Sequence, residues 1–255
     1  MKLENRVFII TGGASGLGEA CSRMAVGSGA KVGIFDLNEE RGENLERELG
    51  ESVIFCKTDV SDENSVRKSV ERVATTFGSI DVAINCAGLI YASKVVSKKG
   101  LFPIEMFNKV VQVNLIGTMN VVRYAVQEMM KNESNEHGER GVIVNTASAA
   151  AFGGQLGQAA YSASKAGVVG MTLPIAREIG EYGMRIVSIS PGLFETQMSS
   201  GMPDSFKQEV TKYIPFPKRL GNPKEFAATV KHIVENPYLN GTNVMLDGAA
   251  QLPAK

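Results

Sequence analysis

Residues 7–18 read VFIITGGASGLG, and this stretch decides the fold. Val7, Phe8, Ile9 and Ile10 make a short apolar run rich in strand-forming residues, which suits a buried strand. It runs directly into Thr11-Gly12-Gly13-Ala14-Ser15-Gly16-Leu17-Gly18, and a helical pattern follows over Gly16 to Gly27. Glycine allows a tight turn and lets a phosphate come close to the backbone. The helix behind it presents unpaired N–H groups and the positive end of its dipole to a pyrophosphate. A glycine cluster by itself serves equally as a turn with no ligand. Between the strand and helix of a first βαβ unit it stands where a dinucleotide loop must stand, with Gly12, Gly16 and Gly18 at the approach.

Moving outward, Asp36 ends a second strand, Lys31 to Asp36. A carboxylate there accepts hydrogen bonds from the 2′- and 3′-hydroxyls of an adenosine ribose and repels a 2′-phosphate. The alternative is a turn or cap aspartate before the next helix. The glycine loop holds no Lys or Arg, and Leu37 follows Asp36, so the cofactor expected is NAD rather than NADP, although Arg41 is near in sequence. Asp59-Val60 follows a third strand, and Asn85-Cys86-Ala87-Gly88 ends a fourth. A polar residue followed by small ones at a strand end flanks an adenine or lets a cofactor pass close to the backbone, a weak signal by itself.

The pattern continues as strands at Val53 to Lys57, Ile80 to Asn85, Gly141 to Thr146, Arg185 to Ser190 and Asn243 to Leu246. Between them lie helices at Glu39 to Leu49, Glu63 to Phe77, Glu105 to Met130, Ala159 to Gly180 and Lys224 to Val234, with Asp62 and Asn222 as N-caps and Pro223 opening the last. Several strands are apolar on both faces. The expectation is an α/β fold, one domain over residues 1–255, with a doubly wound (Rossmann) parallel sheet of about seven strands and helices on both faces. Tyr91 to Ile104 and Gly192 to Gly221 interrupt the rhythm after strand ends, where open α/β sheets bind ligands; the second, about 192–221, is the expected substrate loop.

Composition narrows the function. Lys+Arg and Asp+Glu both number 27, so bulk charge gives no case for nucleic acid or an anionic membrane. Cys21, Cys56 and Cys86 lack CxxC spacing and are odd in number, which suits reduced thiols, and His137 and His232 are too few for a histidine metal site. No apolar run reaches membrane-spanning length. Met1 to Asn5 leave no room for a targeting peptide before the first strand, so a cytoplasmic location is expected.

Catalytic chemistry is signalled by Tyr161-Ser162-Ala163-Ser164-Lys165. At i and i+4, Tyr161 and Lys165 share one helix face. A phenol ionises near pH 10 in isolation, and a neighbouring ammonium stabilises the phenolate, making it an acid or base usable near neutrality. Ser148 ends the fifth strand, where its hydroxyl can meet a substrate oxygen. Alone, YxxxK describes many surface helices; here it opens a helix after the Ser148 strand, downstream of a dinucleotide loop. The expected substrate is a small molecule bearing a secondary alcohol or ketone.

These residues resemble the short-chain dehydrogenase/reductase family along essentially the whole chain, on TGGASGLG at 11–18, Asp59-Val60, NCAG at 85–88, Asn114, Ser148, YSASK at 161–165, and Pro191-Gly192 with Thr196. The resemblance implies a catalytic tetrad of Asn114, Ser148, Tyr161 and Lys165, with Lys165 also holding the nicotinamide ribose and Asn114 holding a water in a proton relay. Read without it, Asn114 is a structural polar residue in an apolar helix. Within the family the chain is most similar to the type 2 3-hydroxyacyl-CoA dehydrogenases, also described as 17β-hydroxysteroid dehydrogenases type 10. That similarity rests on ITGGASGLG, VNTAS at 144–148, GQAAYSASKAG at 157–167, GMTLPIARE at 170–178, SPGLFET at 190–196 and PFPKRLGNP at 215–223. It implies cofactor contacts at Ser15, Leu17, Asp36, Asp59, Val60, Cys86, Phe194 and Thr196, beside Ala87, Gly88 and Pro191 of the motifs. It also implies an NAD-dependent homotetramer that acts on 3-hydroxyacyl-CoA substrates, with the long helices forming a subunit interface. Glu195 stands where that group usually has Gly, and Gln197 to Tyr213 match it least.

Lys94, Lys98 and Lys99 are candidates for contact with CoA phosphates, or form a solvated basic loop. Met119, Met129, Met130 and Met171 read as core or interface packing, and Lys131 to Arg140 as a solvated loop. The competing functions are a steroid or small-alcohol dehydrogenase, a 3-ketoacyl-carrier-protein reductase, which Asp36 disfavours, and a non-catalytic nucleotide-binding protein, which the complete tetrad disfavours.

Overall fold

The computed structural model describes residues 1–98, 100–196 and 204–250. Seven strands form one sheet: β1 (Val7–Thr11), β2 (Lys31–Asp36), β3 (Val53–Lys57), β4 (Val82–Asn85), β5 (Gly141–Thr146), β6 (Met184–Pro191) and β7 (Asn243–Leu246). All pair in parallel, in the order β3-β2-β1-β4-β5-β6-β7. The helices are α1 (Gly16–Gly27), α2 (Glu39–Leu49), α3 (Glu63–Phe77), α4 (Ile104–Val111), α5 (Gly117–Met129), α6 (Ala150–Gly153), α7 (Ala159–Ile179), α8 (Asp204–Thr211) and α9 (Pro223–Glu235). Among the described residues no helix is long and apolar enough to cross a membrane.

β1, β4, β5 and β6 are buried along their full length, which is why their sequences are apolar on both faces. Successive strand residues serve opposite layers. Phe8 and Ile10 join a core with Cys21 and Ala25 of α1 and Phe226 and Val230 of α9. Val7 and Ile9 join a second core with Val66 and Val70 of α3, Val121 and Ala125 of α5, and Ile175 and Ile179 of α7. Chain order reverses between β1 and β4, which are neighbours in register Thr11↔Asn85. Their C-terminal ends bound the crevice in which such sheets bind ligands.

The caps expected at Asp62 and Asn222 form, and Asn38 adds one that the sequence reading did not name. Asn38 Oδ1 accepts from Arg41 N, and Asp62 Oδ1 from Asn64 N. Asn222 and Glu225 form a reciprocal capping box with Pro223 in the first turn. Three features depart from expectation. The helix foreseen over Glu105 to Met130 is broken by a π-helical turn at Gln112–Ile116 between α4 and α5. Tyr91 to Ile104 contains a small antiparallel hairpin, Val96–Ser97 with Gly100–Leu101. Lys131 to Arg140 is not all solvated: Glu139 is buried.

Glu139 turns inward because it meets Arg185 of β6. Arg185 Nε donates to Glu139 Oε1 (2.6 Å), and its other nitrogens donate to the carbonyls of Ile233 (3.0 Å), Leu239 (2.7 Å) and Val234 (3.0 Å). The ammonium of Met1 donates to Glu139 Oε2 (2.8 Å). Burial pushes the Glu139 carboxyl up, but the Met1 hydrogen bond and the Arg185 charge outweigh it and hold the group below the usual carboxylate range. This network ties β6 to the end of α9. Replacing Arg185 with Met leaves the buried Glu139 with the Met1 ammonium as its remaining ionic partner, and the expected cost is up to about 3 kcal/mol, read by urea denaturation. A depressed carboxyl stabilises the fold above its unfolded value of about 4.3, and the contribution disappears as pH falls through the lower folded value. Acid titration of Glu139→Gln should therefore lack that part of the wild-type loss.

Candidate active site

The glycine loop is shaped by close approach. A Cβ on Gly18 would lie 2.1 Å from Gly12 O, and one on Gly12, whose φ is +61°, would lie 3.0 Å from Ala87 N. Ser22 Oγ fixes the loop from beneath by donating to Gly13 O (3.0 Å) and Gly18 O (3.1 Å). Ser15 is the N-cap of α1 but makes no side-chain capping bond, so it leaves the first-turn N–H groups to a ligand. Thr11 Oγ1 accepts from Cys86 N (3.1 Å) and Ala87 N (3.0 Å), joining the β1 and β4 ends. Asp36 Oδ2 accepts from Ala14 N (3.1 Å) and Oδ1 from Asn38 N (3.0 Å), which sets the carboxylate beside the loop.

Across the crevice, Lys165 Nζ donates to Thr146 O (2.7 Å) and lies 5.8 Å from the Tyr161 ring centroid. Burial pushes the Lys165 amine down to about 8. Burial pushes the Tyr161 phenol up, and a hydrogen bond with the Ser148 hydroxyl pulls it partly back. The lowered phenol expected from the Lys165 charge is thus not what this arrangement gives. The ammonium is spent on the Thr146 carbonyl, and desolvation dominates both groups. Ser148 Oγ accepts from Ala150 N (3.1 Å), which fixes its position at the end of β5.

Asn114 sits in the π-helical turn and is fully buried. Its Oδ1 accepts from Leu89 N (2.8 Å), and its Nδ2 donates to Leu89 O (2.9 Å) and Ser164 Oγ (3.0 Å). Ser164 Oγ in turn donates to Tyr161 O (2.7 Å). The π turn presents this amide to both the segment beyond β4 and α7. Hydrophobic periodicity carries no sign of such a turn.

One cavity of about 1370 Å³ is lined by every cofactor residue singled out from the sequence, together with Ser148, Tyr161 and Lys165; Lys94 and Lys98 do not line it. Asn114 is not among its lining residues and stands one layer behind. Sequence reasoning missed Thr11, whose signal is a hydroxyl at the strand end before the loop. It also missed Phe152, Gln155, Gln158 and Leu193, which line the cavity. The first three fall in the short span between Ser148 and Tyr161, which must cross the site, and that position was the available clue. Gln158 Oε1 accepts from Gln155 N (3.0 Å), folding this span back on itself.

The expected substrate loop is closed at its base. Gly221 N donates to Leu193 O (2.9 Å) and Glu195 N to Gly221 O (2.8 Å). The Phe194 ring covers Gly221, where a Cβ would lie 2.7 Å from it, and meets Phe226 edge-on at 6.4 Å. Of the least similar stretch, Gln197 to Tyr213, residues 197–203 lie outside the described residues; α8 and the turn after it fill the rest.

The geometry finds counterparts among known proteins. The family model described as short chain dehydrogenase matches residues 6–205. The chain is 48% identical over 248 residues to 3-hydroxyacyl-CoA dehydrogenase type-2 of Bos taurus, covering 96% of this chain and 95% of that protein. It is 46% identical over 252 residues to the protein of the same name from Drosophila melanogaster, covering 98% and 99%. A crystal structure of 3-hydroxyacyl-CoA dehydrogenase type-2 from Mycobacterium avium superposes with a TM-score of 0.93 at 38% identity, covering 98% of this chain and 97% of that one. With the glycine loop, the parallel sheet and the Ser148-Tyr161-Lys165 constellation in place, the chain belongs to the short-chain dehydrogenase family.

Proposed function

We propose that this enzyme moves a hydride between NAD and the carbinol carbon of a 3-hydroxyacyl-CoA, interconverting it with the 3-ketoacyl-CoA. The observation that carries the reading is the single cavity onto which the glycine loop, Asp36, Ser148, Tyr161 and Lys165 all converge. The loop whose glycines leave no space for a Cβ fits a pyrophosphate, and the Asp36 carboxylate beside it fits ribose hydroxyls. Ser15, Leu17, Asp59, Val60, Cys86, Phe194 and Thr196 would complete the cofactor wall, and Lys165 would hold the second ribose. Bound there, the nicotinamide supplies the hydride acceptor or donor.

The chain's own groups handle the proton and the orientation. Ser148 Oγ, already directed at the phenol, holds the substrate oxygen by a hydrogen bond. Tyr161 Oη takes the carbinol proton during oxidation and returns it during reduction. The hydrogen bond from the Ser148 hydroxyl favours the ionised phenol, and Lys165, bonded to the Thr146 carbonyl on the same helix face, would serve the ribose rather than the phenol. Asn114 clamps Leu89 to α7 through Ser164, so its role is to position Tyr161 and Lys165; the relay water that the family resemblance implies would lie behind them. Phe152 and Leu193 give the acyl chain an apolar wall, and Gln155 and Gln158 give a thioester carbonyl polar neighbours.

Ile116, Met119 and Leu173 are exposed on the long helices, which supports their pairing with a second copy in a homotetramer. The three cysteines are free thiols, which supports a reducing compartment such as the cytoplasm.

The testing experiment is consumption of NADH with acetoacetyl-CoA, beside NADPH and beside Tyr161→Phe. NADPH should serve at least about a hundredfold less well, since setting its 2′-phosphate against Asp36 is a like-charge contact costing several kcal/mol. Tyr161→Phe should lose on the order of 10²–10⁴ in turnover while retaining NADH affinity. Tight NADH binding without turnover of acetoacetyl-CoA would move the substrate to steroids or other secondary alcohols. A second check concerns the hairpin, which exposes Lys94 and Lys98; Lys99 lies outside the described residues. Replacing all three with Ala should raise KM for acyl-CoA and leave KM for a simple secondary alcohol unchanged. An equal KM for acyl-CoA in variant and wild type removes the phosphate-contact role.

A further inference from the structure

Among the described residues, the charged side chains that line the crevice are Asp36, Asp59, Asp247, Lys109 and Lys165. All but one are bonded to the chain. Asp36 accepts from Ala14 N and Asn38 N. Asp59 Oδ1 accepts from Ser61 N (2.9 Å) and Ser61 Oγ (2.6 Å), and Asp247 Oδ1 from Ala249 N (2.9 Å). Lys165 donates to Thr146 O. Lys109 of α4 has neither a hydrogen-bond nor an ion-pair partner among the described residues.

The helix sets the direction of this lysine. Gln112 and Val113, three and four residues on, line the same cavity, so Lys109 shares their face. Gln112 Nε2 donates to Ser61 O (3.2 Å) and fixes that face against the segment after β3. The charge is not needed to close a helix end. α4 runs directly into the π turn and α5, which leaves no free C-terminus beside Lys109 for a cation to serve.

We infer that Lys109 binds a phosphate at the nucleotide end of the acyl-CoA substrate, an inference that rests on the acyl-CoA reading above. Two molecules bring phosphates to the crevice, the dinucleotide and the CoA, and position separates them. The pyrophosphate of the dinucleotide has the first-turn N–H groups of α1, a helix that packs in one core layer. α4 packs on α7, which belongs to the other layer, so Lys109 stands on the opposite wall. The keto carbon of the substrate must reach Ser148 and Tyr161 inside the crevice. The charged nucleotide end of the same molecule stays at the mouth, where its phosphates keep most of their water. Lys109 is exposed there. A flexible, strongly hydrated ammonium in that place draws a phosphate without having to desolvate it.

The test compares two substrates that react alike at the ketone, acetoacetyl-CoA and acetoacetyl-N-acetylcysteamine, the second lacking the nucleotide. KM, kcat and the Kd of NADH are measured for the wild type, Lys109→Met, Lys109→Arg and Lys109→Glu. Lys109→Met should raise KM for acetoacetyl-CoA about fivefold, the scale of one exposed ion pair. Lys109→Glu should raise it about 25-fold, because a repulsion of similar size replaces the attraction. Lys109→Arg should restore it. In all variants kcat, NADH affinity and KM for acetoacetyl-N-acetylcysteamine should stay at wild-type values. Added salt should raise the wild-type KM for acetoacetyl-CoA and shrink its difference from Lys109→Met. An unchanged KM for acetoacetyl-CoA in Lys109→Glu overturns the inference. So does an equal rise for both thioesters, which marks a disturbed crevice, and so does a loss of NADH affinity alone, which assigns the lysine to the dinucleotide. Turnover of neither thioester by the wild type overturns the acyl-CoA reading instead. Calorimetric binding of free CoA then decides the anchor: weaker binding to Lys109→Glu than to the wild type upholds it, and equal binding overturns it.

Discussion

The hydroxyl of Thr11 holds the molecule's working end together. By accepting the N–H groups of Cys86 and Ala87 it fixes the distance between the ends of β1 and β4, the two strands at which chain order reverses. The backbone itself supplies one bond past the end of β4, from Cys86 N to Thr11 O at 3.2 Å, and the hydroxyl carries the tie one residue further, to Ala87. With that contact made, Gly12 can lie against Ala87 with no room for a side chain. The loop is then pressed to the depth at which α1 starts, and Asp36 can reach the Ala14 N–H from the neighbouring strand. Each later contact in the nucleotide half depends on that spacing.

The catalytic half depends on burial that is costly and only partly offset. An ammonium enclosed at Lys165 is tolerable because the Thr146 carbonyl accepts from it, and even so its amine falls to about 8. The Tyr161 phenol is raised by the same enclosure. Both groups are thereby brought away from their charged forms, the lysine downward and the phenol upward. The charge balance between them is set by what else enters the cavity. The Asn114 amide, with three hydrogen bonds to neighbouring segments, keeps the helix that carries both groups from shifting under that strain.

The sequence shows this architecture to different depths. The strands and α1, α2 and α3 are legible because apolar period and cap residues are local signals, and the bounds of those three helices are the ones that Gly16, Glu39 and Glu63 announce. Residues whose chemistry is tied to a motif, such as Asp36, Tyr161 and Lys165, are legible for the same reason. The π turn is not, because it is fixed by what Asn114 bonds to across space. Glu139 could not be told from its solvated neighbours, since its burial follows from Arg185, distant in sequence. The wall formed by Phe152, Gln155 and Gln158 was hidden because a cavity lining is defined by the fold around it. The resemblance to a known family supplied Asn114 as a candidate where composition and spacing did not.

The tie between Phe194 and Gly221 separates two kinds of evolutionary change. Whatever lies between those stems is held by backbone bonds that do not depend on its sequence, and the Phe194 ring anchors them to α9. Length changes that spare the buried Val210, Ile214 and Leu220 cost mainly a loop-closure entropy, which grows slowly with length, and leave the register of β6 alone. The segment therefore behaves as an exchangeable cassette. A lineage could rewrite it while inheriting the sheet and the crevice unchanged.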